Sequence, residues 1–561
     1  MPIDLNSRDY YDKRIGALKT ERSSFESHWT ELSDNFAPRR GRFLIDDRND
    51  GARKHQNIIN SAGLQAARVA RSGLLAGIMS PARPWFALET LNPDFMEDQE
   101  IKIWLSRVET LLRAMFNESN LYNMAPTMLA ETAIFGTGCM THMDDFADVA
   151  RFYTHTIGSY MIGQTSRFEV DTLGREYTLT TEQMVQEFGL DNVSTQVRNA
   201  FDKGDYDSWH PVTQLIEPNP DADPNKLEAK FKPFRSTHFE PGERMNESKG
   251  FLRKSGFEEF PAYVPRWGVT GEDVYGTDCP GMIALGDNKA LQIEEKRKAQ
   301  AIDKMVNPPL RGPASLRNSP INTLPGGTNL YAGLSEQKLE PIYQTNPNIQ
   351  ELKEDIQRTE NRIKEAFYAD LFLAISNMDG IQPRNQLEIS QRNEERLLQL
   401  GPVLEQFHGE FQDKLIDRGF AQLARAGVLP PAPEALAGAP LKVRYVGTLA
   451  MAQRAVATGG IERLAAFAGQ IAQMKPDVLD KIDADQMIDE YATAIGTAPR
   501  LVVPDDHVAD IREQRAQQQA QMQQMQMAMQ AANAASQLGG VKTDERNLVS
   551  DGVAAGSGNP Q

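Results

Sequence analysis

The sequence predicts an α+β protein that is mainly helical, and three observations lead there. Apolar residues recur at helical spacing from about residue 8 to 134 and again after 287. Between them, from about 150 to 270, the pattern changes to short β-like runs broken by Pro, Gly and Asp. Finally, two charged helical patterns flank a long loop rich in Pro and Gly, from about Asp287 to Gly380.

The first helix is expected over residues 8 to 36, with Tyr11, Ile15, Leu18, Phe25 and Trp29 along it and Pro38 as its stop. The run from 38 to 55 mixes both charge signs with glycine and reads as a surface loop. A helix from Ile58 to Met79 follows and ends at the corner Ser80-Pro81-Ala82-Arg83-Pro84. A third is expected from Asp98 to Phe116, with Ile101, Ile103, Leu105, Val108, Leu111, Leu112 and Met115 as its stripe, and a fourth from Met124 to Ile134. Strand-like runs then occupy 150 to 160, 167 to 171 and 176 to 179, the last two joined as a hairpin through Thr172-Leu173-Gly174-Arg175. A short helix at 181 to 188 precedes further strands at 209 to 216 and 230 to 240.

One helical pattern opens at Asp287 and ends against Asn307, Pro308 and Pro309. A connector holding Pro313, Pro320, Pro325, Pro341 and Gly326-Gly327 turns repeatedly. The next helix starts at an Asn346 cap with Pro347 in its first position, and is expected as one amphipathic rod from Asn348 to Ile375. Ile349, Leu352, Ile356, Ile363 and Phe367 form its stripe, which packs either within one subunit or between subunits. Beyond Gly380 the tetrad Asn385 to Glu388 has the spacing of a helix start. The stripe Leu397, Leu400, Leu404, Phe407, Phe411 and Leu415 continues it, with a kink expected near Gly401 from Pro402. A strand at 441 to 446 and a helix from Leu449 to Met474 come next. From Asp510 to Leu538 the chain is mostly Gln, Ala and Met, a helix-prone segment with Met522, Met525 and Met529 on one face, and the polar tail after Gly539 reads as disordered.

Composition narrows the function. The chain has 561 residues and a net charge of −17, which argues against a protein that wraps nucleic acid tightly. It remains compatible with one that lets DNA slide past. No run of 18 apolar residues occurs, so no membrane span is expected. Cys139 and Cys279 are the only cysteines and read as two reduced thiols. There is no Gly-Lys pair, hence no phosphate loop, no HExxH, and only eight scattered histidines. No enzyme is expected: no catalytic residue, metal or cofactor.

Several short motifs, in their order and spacing over residues 8 to 500, resemble the head-to-tail connector, or portal, proteins of short-tailed bacteriophages. They are Ser80-Pro81-Ala82-Arg83-Pro84-Trp85-Phe86, Phe135-Gly136-Thr137-Gly138, Pro265-Arg266-Trp267 with Tyr275-Gly276, and Asn307-Pro308-Pro309-Leu310. Arg392-Asn393-Glu394-Glu395-Arg396, Leu400-Gly401-Pro402-Val403 and Leu449-Ala450-Met451-Ala452-Gln453 follow. The resemblance implies a portal-type subunit, assembling into a ring, commonly of 12, with an axial channel. Residues 1–278 would be the wing, 279–306 the first stem helix, 307–345 the clip, 346–375 the second stem helix, 376–386 the tunnel loop and 387–500 the crown-directed helices. The Gln/Met-rich helix and tail at 501–561 lie largely outside the resemblance.

By the same resemblance the ring would sit at one capsid vertex of the virion, after assembly in the host bacterial cytoplasm. Double-stranded DNA would pass through it, and its partners would be the terminase motor, major capsid and scaffold proteins, and a tail adaptor. Candidate DNA-facing residues are Lys289, Lys296, Arg297, Lys298, Lys304 and Arg384. The candidate tunnel loop is Ser376, Asn377, Met378, Asp379, Gly380, Ile381, Gln382 and Pro383. Competing readings are a tail-adaptor or internal scaffold protein, and a DNA-processing enzyme.

Overall fold

The computed structural model describes residues 7–43, 58–92, 95, 98–145, 149–242, 250–312, 322, 340–341, 349–376, 399–436, 441–447, 449, 464–472, 475, 481–495, 503 and 505–538. Helix α1 (Arg8–Phe36) starts where the Ser7 side chain accepts from the Tyr10 N–H, and stops at Ala37 ahead of Pro38. Tyr11, Ile15, Leu18, Trp29, Leu32 and Phe36 are its buried row. Helix α2 (Ala62–Ile78) buries small residues, Ala62, Ala66, Ala67 and Ala70, which lets its neighbours approach closely. At Gly73 an added Cβ would lie 2.1 Å from the Phe372 ring. After the corner come β1 (Phe86–Thr90), α3 (Gln99–Glu118) and α4 (Leu121–Phe135). In α3 the expected stripe is buried at Ile101, Leu105, Val108 and Leu112, whereas Ile103 is 46% exposed, because a residue two places on points away from the stripe.

The middle of the unit is antiparallel β. Strand β2 (Cys139–Asp145) lies between β3 (Val149–His155) and the short β9 (Ala262–Tyr263). The free edge of β3 is covered by Asn120, whose side chain donates to Phe152 O at 2.9 Å and accepts from Phe152 N at 2.7 Å, copying a strand partner. The second sheet runs β4 (Tyr160–Gln164), β5 (Val170–Thr180), β6 (Trp209–Pro218), β7 (Phe234–Phe239) and β8 (Arg253–Phe257), in that order. Helices α5 (Thr181–Phe188) and α6 (Thr195–Asp202) sit between β5 and β6 in the chain.

The hairpin expected at Thr172–Arg175 is not there. Those four residues are mid-strand in β5, paired with β4 on one side, and from Leu173 onward with β6 on the other. Gly174 is small because Ile15 of α1 lies above it, 3.1 Å from where its Cβ would be. The actual turn is at 165–169, with Phe168 at φ 63°.

Helix α7 (Pro280–Val306) begins two turns before the expected Asp287, because Pro280 fits the first position after Cys279. The pair β10 (Leu310–Arg311) and β11 (Glu340–Pro341) closes the two ends of the intervening connector antiparallel. The expected rod from 348 to 375 is broken. Helix α8 (Ile349–Ala366) ends where Tyr368 takes φ 54°, and α9 (Ala369–Ser376) restarts beyond it. Phe367 is fully buried against Phe36, and Tyr368 lies over Trp267, so tertiary packing fixes the break. The expected caps at Asn346 and Asn385, and Pro347, lie outside the described residues.

Helix α10 comprises helical residues 399–407, a π turn at His408–Gln412 and an α-helical half, Asp413–Arg425. The expected stripe is buried at Leu400, Leu404, Phe407, Phe411 and Leu415. Helical residues run through Gly401 and Pro402, and the departure from regular helix is the π turn further on. Strand β12 (Leu441–Tyr445) pairs antiparallel with β1, bringing together two segments far apart in the sequence. All of this belongs to one compact unit, residues 1–96 and 100–460. In the other, helix α11 (464–472) carries Leu464 and Phe467 more than half exposed. There α12 (Ala484–Ile495) meets α13 (Asp505–Leu538) through Arg512, bidentate on Asp485 at 2.7 and 2.8 Å. Among the described residues no helix is long and apolar enough to cross a membrane.

Candidate functional site

The charged helix pair α7 and α8 is the candidate site, and its first turn is seated by close packing. Gly281 has no room for a Cβ, which would lie 2.2 Å from Ile134 O. The Cys279 thiol donates to the same carbonyl at 3.2 Å, and burial pushes its pKa up to about 12, so it is an inert packing group. The helices run antiparallel: Arg362, late in α8, pairs at 3.0 Å with Asp287, early in α7. Leu291, Ile356 and Ile363 are buried between them and the rest of the unit.

A polar junction ties the pair to the start of α2. The Gln292 side chain accepts from the Ile59 and Asn60 N–H groups at 2.7 and 2.8 Å and donates to Asn60 O at 3.0 Å. The Asn60 amide in turn donates to Glu295 of α7 at 3.1 Å and to Glu360 of α8 at 2.8 Å. One asparagine therefore sets the spacing of both helices, a role nothing in the local sequence announces.

The five cations predicted on α7 do not share one face. At about 100° per residue, Lys289, Lys296, Arg297 and Lys304 fall on the outward arc and Lys298 on the opposite side. Lys298 pairs with Glu295 at 2.5 Å, and Lys289 pairs with Glu31 of α1. Lys296, Arg297 and Lys304 are exposed. Ile283 and Ile293, 63% and 51% exposed, lie on the same outward arc. Ser376 ends α9, and Arg384 with the candidate loop residues Asn377, Met378, Asp379, Gly380, Ile381, Gln382 and Pro383 lies outside the described residues. Among the described residues there is no group of three His, Cys, Asp or Glu side chains that could hold a metal.

Three of the singled-out motifs meet in one knot behind this site. Gly136, at φ 85°, and Gly276 approach backbone to backbone: a Cβ on either would lie 2.2 or 2.1 Å from the other's carbonyl oxygen. Thr137 Oγ1 accepts from Gly276 N at 2.8 Å, Trp267 N donates to Gly136 O at 2.8 Å, and Gly138 N to Pro265 O at 3.0 Å. Arg266 is 2% exposed. Its Nε donates to Glu410 Oε1 at 2.8 Å and its backbone N–H to Glu410 Oε2 at 2.8 Å, while its Nη atoms reach Gln164 Oε1 at 3.0 Å and Phe168 O at 2.8 Å. Glu410 sits inside the π turn, the local widening that aims it at Arg266. Trp85 of the earlier motif is likewise buried, its indole N–H on Tyr122 OH at 3.1 Å. Sequence reasoning missed Glu410 because no spacing rule marks a π turn. It also missed Glu131, for which a signal existed: a lone charge in an otherwise uncharged helix, LYNMAPTMLAETAIF.

Residues 8–502 match the model of the bacteriophage head to tail connecting protein family. The chain is 44% identical over 550 residues to the portal protein of Salmonella phage epsilon15, covering 98% of each chain. It is 43% identical over 547 residues to the probable portal protein of Bordetella phage BPP-1, covering 97% of this chain and 98% of that one. Among solved structures, a chain of the native gene transfer agent virion aligns with 83% of this chain and 98% of its own, at 9% identity and a TM-score of 0.35.

Proposed function

The chain belongs to the bacteriophage head-to-tail connecting protein family, and on that premise we propose that twelve copies close into a ring at one capsid vertex of the virion, with double-stranded DNA entering and leaving along its axis. The work of packaging comes from a separate terminase motor docked on the ring, which a tail adaptor later replaces. Residues 1–278 are the wing, 279–306 and 346–375 the stem, the connector 307–345 the clip, 376–386 the tunnel loop and 387–500 the crown-directed part. The observation that carries this reading is the end-to-end relationship to the epsilon15 portal protein. The helix pair supports it: one side is sealed against the unit, and the outward arc carries exposed isoleucines beside Lys296, Arg297 and Lys304. In a heterologous ring the isoleucines pack on the next copy and the cations are available to phosphate.

The test is native mass spectrometry of the purified chain with end-on electron micrographs. A closed ring of about a dozen copies with a central hole is expected. A monomer or dimer that persists with scaffold and capsid proteins present overturns the ring. The cation assignment has its own readout. Neutralising Lys296, Arg297 and Lys304 to Gln should alter DNA packaging or retention while rings still form, and loss of rings instead would make these residues structural.

A further inference from the structure

Glu131 stands in α4 with 1% of its surface exposed. Its Oε2 accepts the Ile157 N–H at 2.9 Å, and Thr156 lends a further hydrogen bond. Its Oε1 has no hydrogen-bond partner, and the nearest cation is Arg40 Nη1 at 3.5 Å. Arg40 belongs to the strap 37–43, which leaves α1 and crosses over α4. Ala37 and Phe43 pack the two ends of the strap against the core, and hydrogen bonds hold its middle. The Arg40 N–H donates to Ala37 O at 2.7 Å, Arg40 Nη2 to Thr127 Oγ1 at 3.4 Å, and the Ser33 hydroxyl donates to Arg40 O. The Arg42 N–H donates to Ile157 O at 2.9 Å. The single Ile157 residue is thus gripped by the carboxylate through its N–H and by the strap through its C=O. Gly158 beside it has no Cβ to obstruct Arg42 O, which would lie 2.2 Å away.

We propose that the strap 37–43 is a proton-controlled latch: ionised Glu131 holds Arg40 and closes the strap over α4, and protonated Glu131 releases it. With Glu131 still enclosed by its Cys139 and Tyr160 neighbours when the strap lifts, an ionised carboxylate loses its counter-charge while staying desolvated, whereas a neutral one loses nothing. Burial pushes the Glu131 pKa up to about 7, opposed in order by Arg40, the Ile157 N–H and the Thr156 hydroxyl. The other titratable groups facing it stay uncharged: the Cys139 thiol from β2 and the Tyr160 phenol from β4 are both pushed up by burial. From α1, Arg22 is committed to Gly158 O at 2.6 Å and Glu26 at 2.9 Å, so it does not substitute for Arg40.

The test is hydrogen exchange of the full-length chain at pH 8 and pH 6, corrected for intrinsic rates, read on peptides covering 37–43 and 156–159. Wild-type protection of the strap is expected to fall about tenfold between the two, as the ionised fraction of a carboxyl titrating at about 7 falls from about 0.9 to about 0.1. Glu131→Gln should be weakly protected and flat with pH, and Arg40→Gln should behave the same while keeping the carboxylate. Equal wild-type protection at both pH values, or protection that rises at pH 6, overturns the latch, as does wild-type pH dependence surviving in either variant. Should Glu131→Gln not fold, Arg40→Gln decides alone.

Discussion

Replacing Arg266 by Met keeps much of the side chain's volume and removes its charge, and the consequences can be worked from its surroundings. Arg266 is 2% exposed, and its guanidinium and backbone N–H together saturate Glu410. The variant strands a carboxylate in a poorly solvated site and leaves Phe168 O and Gln164 Oε1 without their donor. Breaking a buried pair from one side costs about 3–5 kcal/mol when the remaining charge is uncompensated; here Lys414, one turn along α10, still faces Glu410 and the Arg266 backbone N–H still donates to it, so the low end of that range is expected. The loss is local first: α10 should loosen at the π turn His408–Gln412, and the β4–β5 turn at Phe168 with it. Exchange protection at those two segments is the direct readout, with the thermal midpoint lower by several degrees as the global one. Neutralising the partner as well, Arg266→Met with Glu410→Gln, should recover part of the loss, a coupling of about 0.5–3 kcal/mol. If Arg266→Met behaves like the surface change Arg297→Gln, or if the double variant is no better than the single, the pair is not what holds α10 to the sheets.

Three further outcomes follow from the same packing. Gly136→Ala and Gly276→Ala each force a methyl to about 2 Å from a backbone oxygen, and at about 1–3 kcal/mol of overpacking both should lower the thermal midpoint. Gly286→Ala, in mid-helix with open space around it, should raise it slightly. Buried His142 and His238 are both held neutral, with pKa lowered to about 3 by burial and, secondarily, by Arg418 and Arg253 respectively. The unfolded chain takes up protons near 6.5 and the folded one does not. Stability is therefore full above pH 6.5 and falls on the way to about 3, by up to about 1.4 kcal/mol per pH unit for each histidine. His142→Phe should flatten that acid limb in a series of thermal melts from pH 7 to 4, and an unchanged slope would show that carboxylates, not this ring, set it.

Where a local pattern determines structure, the sequence was readable. The stripes of α1, α3 and α10 were legible because burial at Ile15, Leu112 or Phe411 repeats every three or four residues. What escaped was decided by neighbours far along the chain. Thr172-Leu173-Gly174-Arg175 has the composition of a turn, yet its glycine exists to admit Ile15 from α1. Tyr368 has no local reason to take φ 54°; Phe36 and Trp267 impose it. The pairing of Phe86 with Tyr445 spans most of the chain and leaves no mark in either strand. Of the candidate site, the cations themselves were visible, and the i, i+3 pair of Glu295 and Lys298 already marked one of them as spoken for. The Asn60–Gln292 junction was not, since neither residue type is unusual where it stands.

Three of the described motifs that carry the family resemblance, at 80–86, at 135–138 and at 265–267 with 275–276, do not fall on the proposed DNA-facing arc. Gly136, Gly276, Arg266 and Trp85 are packing devices: two glycines without room for a methyl, an arginine sealed by a π-turn glutamate, and a tryptophan under a corner. This division has a physical reason. A surface that grips one ligand needs a fixed constellation of donors, and such a constellation leaves a spacing in the sequence. A surface past which a polymer slides must avoid one, because every specific contact becomes a barrier to the next step, so a few solvated cations on a negatively charged chain are enough. On the proposed sliding surface a charge pattern suffices, so Lys296, Arg297 and Lys304 are better tested as a set than one at a time.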